Sequence, residues 1–208
     1  MTEKTLQSWL TEVSAATPTP GGGSVAALMG AFGCALGEMV VSLTVGKEKF
    51  KSVEAELAPF AAQFRALQVE FVSLGAEDAK SYEGVLTARR LPKSDSAESS
   101  ARDAAIQVAT AVAADVPLRT AFLAIEALSM LHILAQKGNP NVATDAGAGA
   151  LACHAAALGA ALNVRVNALS IVSQAEREKL LEQSRAAELQ AGHLLGETLL
   201  SVQRHVGV

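Results

Sequence analysis

Residues 17–50 read TPTPGGGSVAALMGAFGCALGEMVVSLTVGKEKF, and the apolar run after the three glycines decides the fold class. Gly21, Gly22 and Gly23 carry no side chain, so the backbone there can turn tightly or approach a ligand closely. Ser24 is the expected N-cap, its hydroxyl accepting from free amides of the first turn. The helix it opens should run from Ser24 to about Val45, with Gly30, Gly33 and Gly37 along one face that meets another backbone at close range. A helix start of this kind gathers unpaired N–H groups and partial positive charge, a setting for a carboxylate or phosphate. A tight turn leading into a helix accounts for the same residues equally well. The segment 24–45 also has nearly the length and apolarity of a membrane span, and Gly33 to Gly37 forms a GxxxG. Glu38 opposes that reading, since a carboxylate at that depth is costly in lipid, and no Trp or Tyr belt flanks the segment. No second stretch reads as an equally good span, so a buried central helix is expected.

The rest of the composition agrees with an all-α chain. Of 208 residues, 50% are apolar but only 4% aromatic, so Ala and Gly must supply much of the packing surface and helices should approach closely. The length suits one domain, residues 1–208, with a sizeable core. A formal net charge of −4 gives no basic footprint for nucleic acid. Cys34 and Cys153 lie in apolar helical patterns without CxxC spacing, which argues against a disulfide framework or zinc site. The polar N-terminus MTEKTLQSWLTEVSAA lacks the apolar core of an export signal, so a cytoplasmic location is expected.

Helical periodicity continues along the chain. Residues 3–15 form a short amphipathic helix ended by Pro18 and Pro20. Residues 51 to about 91 form two helices or one kinked helix, with Leu57, Phe60, Phe64, Leu67 and Phe71 as the stripe and Pro59 and Gly75 as marks of a boundary and a break. Asp95 and Glu98 resemble a capping box for a helix that reaches about Asp115. Pro117 then opens a separate helix that stops at Gly138. The polar loop GNPNVATDAG follows, Thr144 or Asp145 caps a small-residue helix from Ala146 to about Val172, and residues 174–206 form a long amphipathic helix. No β pattern, repeat or linker interrupts this, and one all-α domain results. Two helices so small and apolar are hard to bury in one short chain, which points to a symmetric dimer.

Several residues could carry chemistry. Gly46-Lys47 fails as a phosphate loop, because Val41 stands where glycine is required and Glu48 where Ser or Thr should bind magnesium. Lys47 can instead complement the C-terminal dipole of the apolar helix or pair with an anionic substrate. Asp78 and Tyr82, one helical turn apart, share a face. A carboxylate and ring so placed could protonate and hold a flat heterocycle, or Asp78 could simply be a solvated helical carboxylate. Asn139, Asn141 and Asp145 share one loop, while Asn163 and Asn167 stand i, i+4 in a helix of small residues. Buried amides need partners, so these asparagines serve either interhelical hydrogen bonds or ligand recognition. His132, His154, His193 and His205 lack HExxH or any close partner set, and no metal site is expected. GxSxG, Cys-His and dinucleotide motifs are absent from the sequence.

Taken in order, PTPGGGSVAALMGAFGCALGEMVVSLTVGKEKF, EDAKSYEGVLTARRLPK, DVPL, KGNPNVATDAGAGAL and ALNVRVN resemble the motifs of the formiminotetrahydrofolate cyclodeaminase family, which also contains freestanding methenyltetrahydrofolate cyclohydrolases. The resemblance runs from about residue 13 to 170. It implies an all-α, mostly antiparallel multi-helix bundle, a homodimer, and a tetrahydrofolate derivative as substrate with no further cofactor. The family's catalytic aspartate falls on Asp78 in DAKSY. The glycine turn, Ser24, Lys47, Tyr82, Asn139, Asn141, Asp145, Asn163 and Asn167 match motif positions that the resemblance implies bind substrate. Thr144 stands where many members have Ser. The alternative outside enzymology is a helical oligomeric interaction module, in which the same glycines and asparagines only support packing.

Overall fold

The computed structural model describes residues 4–207. Six α-helices follow one another: α1 (Leu6–Val13), α2 (Gly22–Ser42), α3 (Lys51–Arg89), α4 (Ser96–Lys137), α5 (Ala143–Ala168) and α6 (Gln174–Val206). Short 3₁₀ turns at Glu48–Phe50 and Pro140–Val142 lead into α3 and α5, and no strand occurs among the described residues. The expected first helix was longer at both ends, and its residue 3 lies outside the described residues.

α2 is central because it lacks Cβ atoms where its neighbours press on it. A Cβ added at Gly30 would lie 2.5 Å from the Phe71 ring of α3, and one at Gly37 would lie 2.5 Å from the Phe64 ring. One at Gly23 would lie 2.6 Å from Cγ of Asp78. Seven residues forward on α2 therefore match seven residues backward on α3, which is an antiparallel heptad register. The sequence expectation of one glycine face is corrected: Gly33 points elsewhere, and its added Cβ would lie 2.7 Å from the Gly149 carbonyl of α5. Positions 30 and 37 keep heptad phase, whereas 33 is out of phase with both, so α2 has one close-packing face toward α3 and another toward α5. Phe64, Phe71, Leu57 and Leu74 are fully buried on α3, each worth roughly 1.5–3 kcal/mol of apolar burial.

Two long helices run through prolines that the sequence reading took as breaks. In α3, Pro59 removes the amide that would serve the Ala55 carbonyl, but Ala55 is exposed, so water can replace the lost donor. In α4 the problem is internal, because Pro117 deprives the buried Ala113 of its helical donor. Asn167 of α5 solves it by donating Nδ2–H to the Ala113 carbonyl at 2.6 Å. The separate helices expected on either side of Pro117 are thus one continuous α4.

Three helical segments, Gly22–Ser42, Ser96–Lys137 and Pro140–Ala168, are long and apolar enough to cross a bilayer by length and composition. From the sequence only the first is expected to be a candidate span. Continuity through Pro117 brings in α4, and the 3₁₀ turn extends the α5 segment. Half or slightly more of each apolar window is buried inside the protein, and Glu38 of α2 is held by Arg65 and Gln68 of α3.

Asn167→Ala should leave the Ala113 carbonyl without a donor and cost about 1–3 kcal/mol. Pro117→Ala restores an amide at that place, so in urea denaturation the loss caused by Asn167→Ala should shrink in the Pro117→Ala background.

Candidate functional site

Asp78 occupies the heptad line of Leu57, Phe64 and Phe71 on α3, where the next position would ordinarily be apolar. The same register that seats two phenyl rings against Gly37 and Gly30 seats a carboxylate against Gly23. Its Oδ2 accepts a hydrogen bond from the Ser24 hydroxyl at 2.9 Å. Ser24 was expected to cap α2, but Gly21 occupies the N-cap position and makes no side-chain cap bond. Ser24, in the first helical turn and fully buried, faces across to α3 instead.

Burial pushes the Asp78 carboxyl up from its ordinary value, and the Ser24 hydroxyl and backbone amide oppose that rise. Burial dominates because it removes water from the charged form, whereas the two donors recover only part of that solvation. The carboxyl is therefore better suited to exchange a proton than an exposed aspartate would be. Tyr82, one turn further along α3, is 41% exposed and flanks the site with a solvent-facing ring.

α5 approaches the same helix terminus. A Cβ at Gly22 would lie 3.7 Å from Nδ2 of Asn163, which already donates to the Gly159 carbonyl at 2.8 Å. Its carbonyl oxygen remains for another donor. Asn167, one turn on, is committed to the Ala113 carbonyl. Of the two asparagines left open between packing and recognition, Asn167 therefore has a packing partner on α4, while Asn163, among the described residues, bonds within its own helix.

Concave surface adjoins this terminus. A cavity of about 480 Å³ is bounded by Val13, Pro18, Pro20, Gly21, Gly22, Val25, Met29 and Gly159. Another of about 340 Å³ follows α3 past Gly75, Ala79 and Glu83, and Pro20 lines both. The sequence reading used Pro18 and Pro20 only as helix breakers and missed them as walls. Their place beside three glycines was the available signal.

The remaining candidate residues are elsewhere. Lys47 is exposed in the turn after α2, beyond Gly46, whose φ of +79° turns the chain out of the helix. Asn139 donates its backbone N–H to Thr44 Oγ1 at 3.0 Å and its Nδ2–H to the Leu43 carbonyl at 2.9 Å. It thereby satisfies the C-terminal end of α2. Asn141 donates its backbone N–H to Asn139 Oδ1 at 3.1 Å, and Asp145 lies in the first turn of α5. Neither Thr144 nor Asp145 caps α5, since Val142 holds that position without a side-chain bond. At 1.5 Å per residue α2 is about 30 Å long. Within one chain, Lys47 and Asn139 lie at the end of α2 opposite Asp78, and Asn141 and Asp145 follow Asn139 into α5.

The fold and site together define an all-helical domain with a partly buried carboxylate held against a helix N-terminus, beside which lies a cavity lined largely by apolar residues. A family model described as formiminotransferase-cyclodeaminase matches residues 5–186. A methenyltetrahydrofolate cyclohydrolase of Methylorubrum extorquens is 38% identical over 92% of this chain and 92% of its own length. A formimidoyltransferase-cyclodeaminase of Rattus norvegicus is 32% identical over 85% of this chain, which corresponds to 33% of that longer protein. The crystal structure of formiminotetrahydrofolate cyclodeaminase from Thermotoga maritima superposes with a TM-score of 0.89 at 28% identity, covering 99% of this chain and 98% of that one. The chain belongs to the formiminotransferase-cyclodeaminase family.

A raised carboxyl pKa carries a stability consequence. The folded state holds the Asp78 proton more tightly than the unfolded chain, so its contribution is fully present below the unfolded pKa and is lost as pH rises through the folded value. Asp78→Asn should therefore be more stable than the parent near pH 7, with the advantage shrinking as pH falls. Urea denaturation of both proteins between about pH 4 and pH 7.5 measures this.

Proposed function

We propose that this chain is a tetrahydrofolate one-carbon enzyme that acts at the carbon between N5 and N10, converting 5-formiminotetrahydrofolate to 5,10-methenyltetrahydrofolate and ammonia. The observation that carries the reading is the Asp78 carboxyl, partly buried, raised in pKa and held by Ser24 at the N-terminal end of α2. N10 attacks the N5-formimino carbon and its proton passes to the formimino nitrogen, giving a tetrahedral centre that carries an amino group. Collapse of that centre expels the amino nitrogen, which must leave protonated as ammonia rather than as an amide anion. A protonated Asp78 supplies that proton, and the resulting carboxylate stabilises the methenyl cation formed beside it.

Run on the methenyl compound, the same carboxylate serves the cyclohydrolase reaction. Asp78 accepts a proton from water as oxygen adds to the cationic carbon and returns it to N5 as the carbon–N5 bond breaks, while the added hydroxyl gives up its remaining proton to solvent as the formyl C=O forms, leaving 10-formyltetrahydrofolate. This second reading has its own support in the cyclohydrolase relative that matches almost the whole chain. In either direction the folate is the only cofactor-like group required.

Binding follows from the same end of α2. Asn163, beside Gly22, offers an amide matched to the pterin's donor and acceptor edge, and Tyr82 presents an aromatic face one helical turn from Asp78. Lys47, at the far end of α2, is not assigned to this site in the same chain. A homodimer belongs to the reading as well: Leu162, Val166 and Leu169 on and just beyond α5 are 58%, 67% and 74% exposed, and a symmetric partner would cover them.

Asp78→Asn tests the chemistry. It should remain folded and lose about 10²- to 10⁴-fold in rate, the usual contribution of a positioned acid or base. The rate is followed through the near-ultraviolet band of the methenyl compound, formed from the formimino substrate or lost on hydrolysis. Full activity in both assays would remove Asp78 from the mechanism.

A further inference from the structure

Ser24 is fully buried and its hydroxyl crosses from α2 to α3. Two features make this more than a packing bond. An ionised carboxylate only accepts, so the Ser24 hydroxyl must be the donor, which fixes the rotor. Gly23, the residue before it, touches the same carboxylate from the adjacent position and leaves no room for a methyl group. Together they restrain Asp78 on two sides, while Oδ1 receives no side-chain donor among the described residues.

Charged neighbours do not perform this role. Glu77 is paired with Arg119 of α4. Lys80 and Glu83 lie on α3 itself, α5 contributes the neutral Asn163, and α2 contributes only the Ser24 hydroxyl and amide. Asp78 has no ion-pair partner among the described residues.

Resting on the reading of Asp78 as the reacting carboxyl, we propose that Ser24 is its positioning residue: the hydroxyl anchors Oδ2 to the first turn of α2, orients the carboxyl toward bound folate, and sustains its ionised form. It takes no part in bond making. The register of α2 on α3 thus places a donor beside the acid as well as room for it. A hydrogen bond to the charged form lowers a carboxyl pKa, and its removal raises that pKa. The sign is the same in both reaction directions, because an alkaline limb set by the acid and an acidic limb set by the base both move upward when Asp78 holds its proton more tightly.

The test compares kcat–pH profiles of the full chain carrying Ser24→Ala, Ser24→Cys or Ser24→Thr with the parent and with Asp78→Asn. Ser24→Ala should reduce kcat roughly 10- to 100-fold, the factor that a hydrogen bond to a charged group carries. KM should change less, and the limb set by Asp78 should move to higher pH. Ser24→Cys, nearly isosteric with a weak donor, should shift the limb the same way with packing preserved, and so gives the answer even if Ser24→Ala fails to fold. Ser24→Thr, which keeps the hydroxyl, should return the limb toward the parent position. An unmoved limb in folded Ser24→Ala or Ser24→Cys, with Asp78→Asn inactive, would overturn the role of Ser24 and leave that of Asp78 standing. An active Asp78→Asn would instead overturn the reading beneath it.

Discussion

The close approach of α3 to α2 at Gly23, Gly30 and Gly37 is the contact on which the rest of the structure depends. Without Cβ atoms at these places, Phe64 and Phe71 press directly on the α2 backbone and lock an antiparallel heptad register. That register then determines what lies opposite Gly23. Asp78 is there because it is one heptad beyond Phe71, and the helix that fills the core also carries the carboxyl to the α2 terminus. A shift of one residue would remove Asp78 from Ser24 and drive the rings into side chains, so packing and chemistry are specified by the same contact.

α2 also separates the polar residues into two groups with different work. At its N-terminal end Asp78, Ser24, the glycines and Asn163 gather beside the clefts. At its C-terminal end Asn139 and Thr44 close the helix, with Thr44 Oγ1 donating to the Val40 carbonyl at 2.7 Å and accepting from the Asn139 amide at 3.0 Å. The helix is fixed at its C-terminal end by this loop and along its length by the Phe64 and Phe71 contacts. The polar loop before α5 therefore supports the site mechanically from about 30 Å away.

Much of this was legible in the sequence, and the reasons differ by element. The bounds of α6 follow from alternating charged and apolar residues, and the Asp95 cap and the Gly138 stop are local signals that local chemistry honours. Asp78, Ser24 and the glycine turn, which the motifs single out, lie together at one end of α2. The misreadings all involve partners distant in the chain. Pro117 reads as a helix start because nothing nearby reveals that Asn167, fifty residues later, will serve the Ala113 carbonyl. Ser24 reads as a cap because its true acceptor is on another helix. Gly33 reads as one face with Gly30 and Gly37 because spacing alone does not say that two different helices press on α2. Lys47 and the Asn-Pro-Asn loop lie at the other end of α2 within one chain, a placement that a linear motif does not carry.

The most direct measurement is a crystal structure of the protein with a stable 5-formyl- or 10-formyltetrahydrofolate bound. The account predicts the one-carbon group within hydrogen-bond reach of the Asp78 carboxyl, with Ser24 still donating to Oδ2 and the pteridine in the cleft beside Pro20 and Gly21. A folate whose N5 and N10 lie away from Asp78, for instance at the Lys47 and Asn139 end of α2, would contradict it.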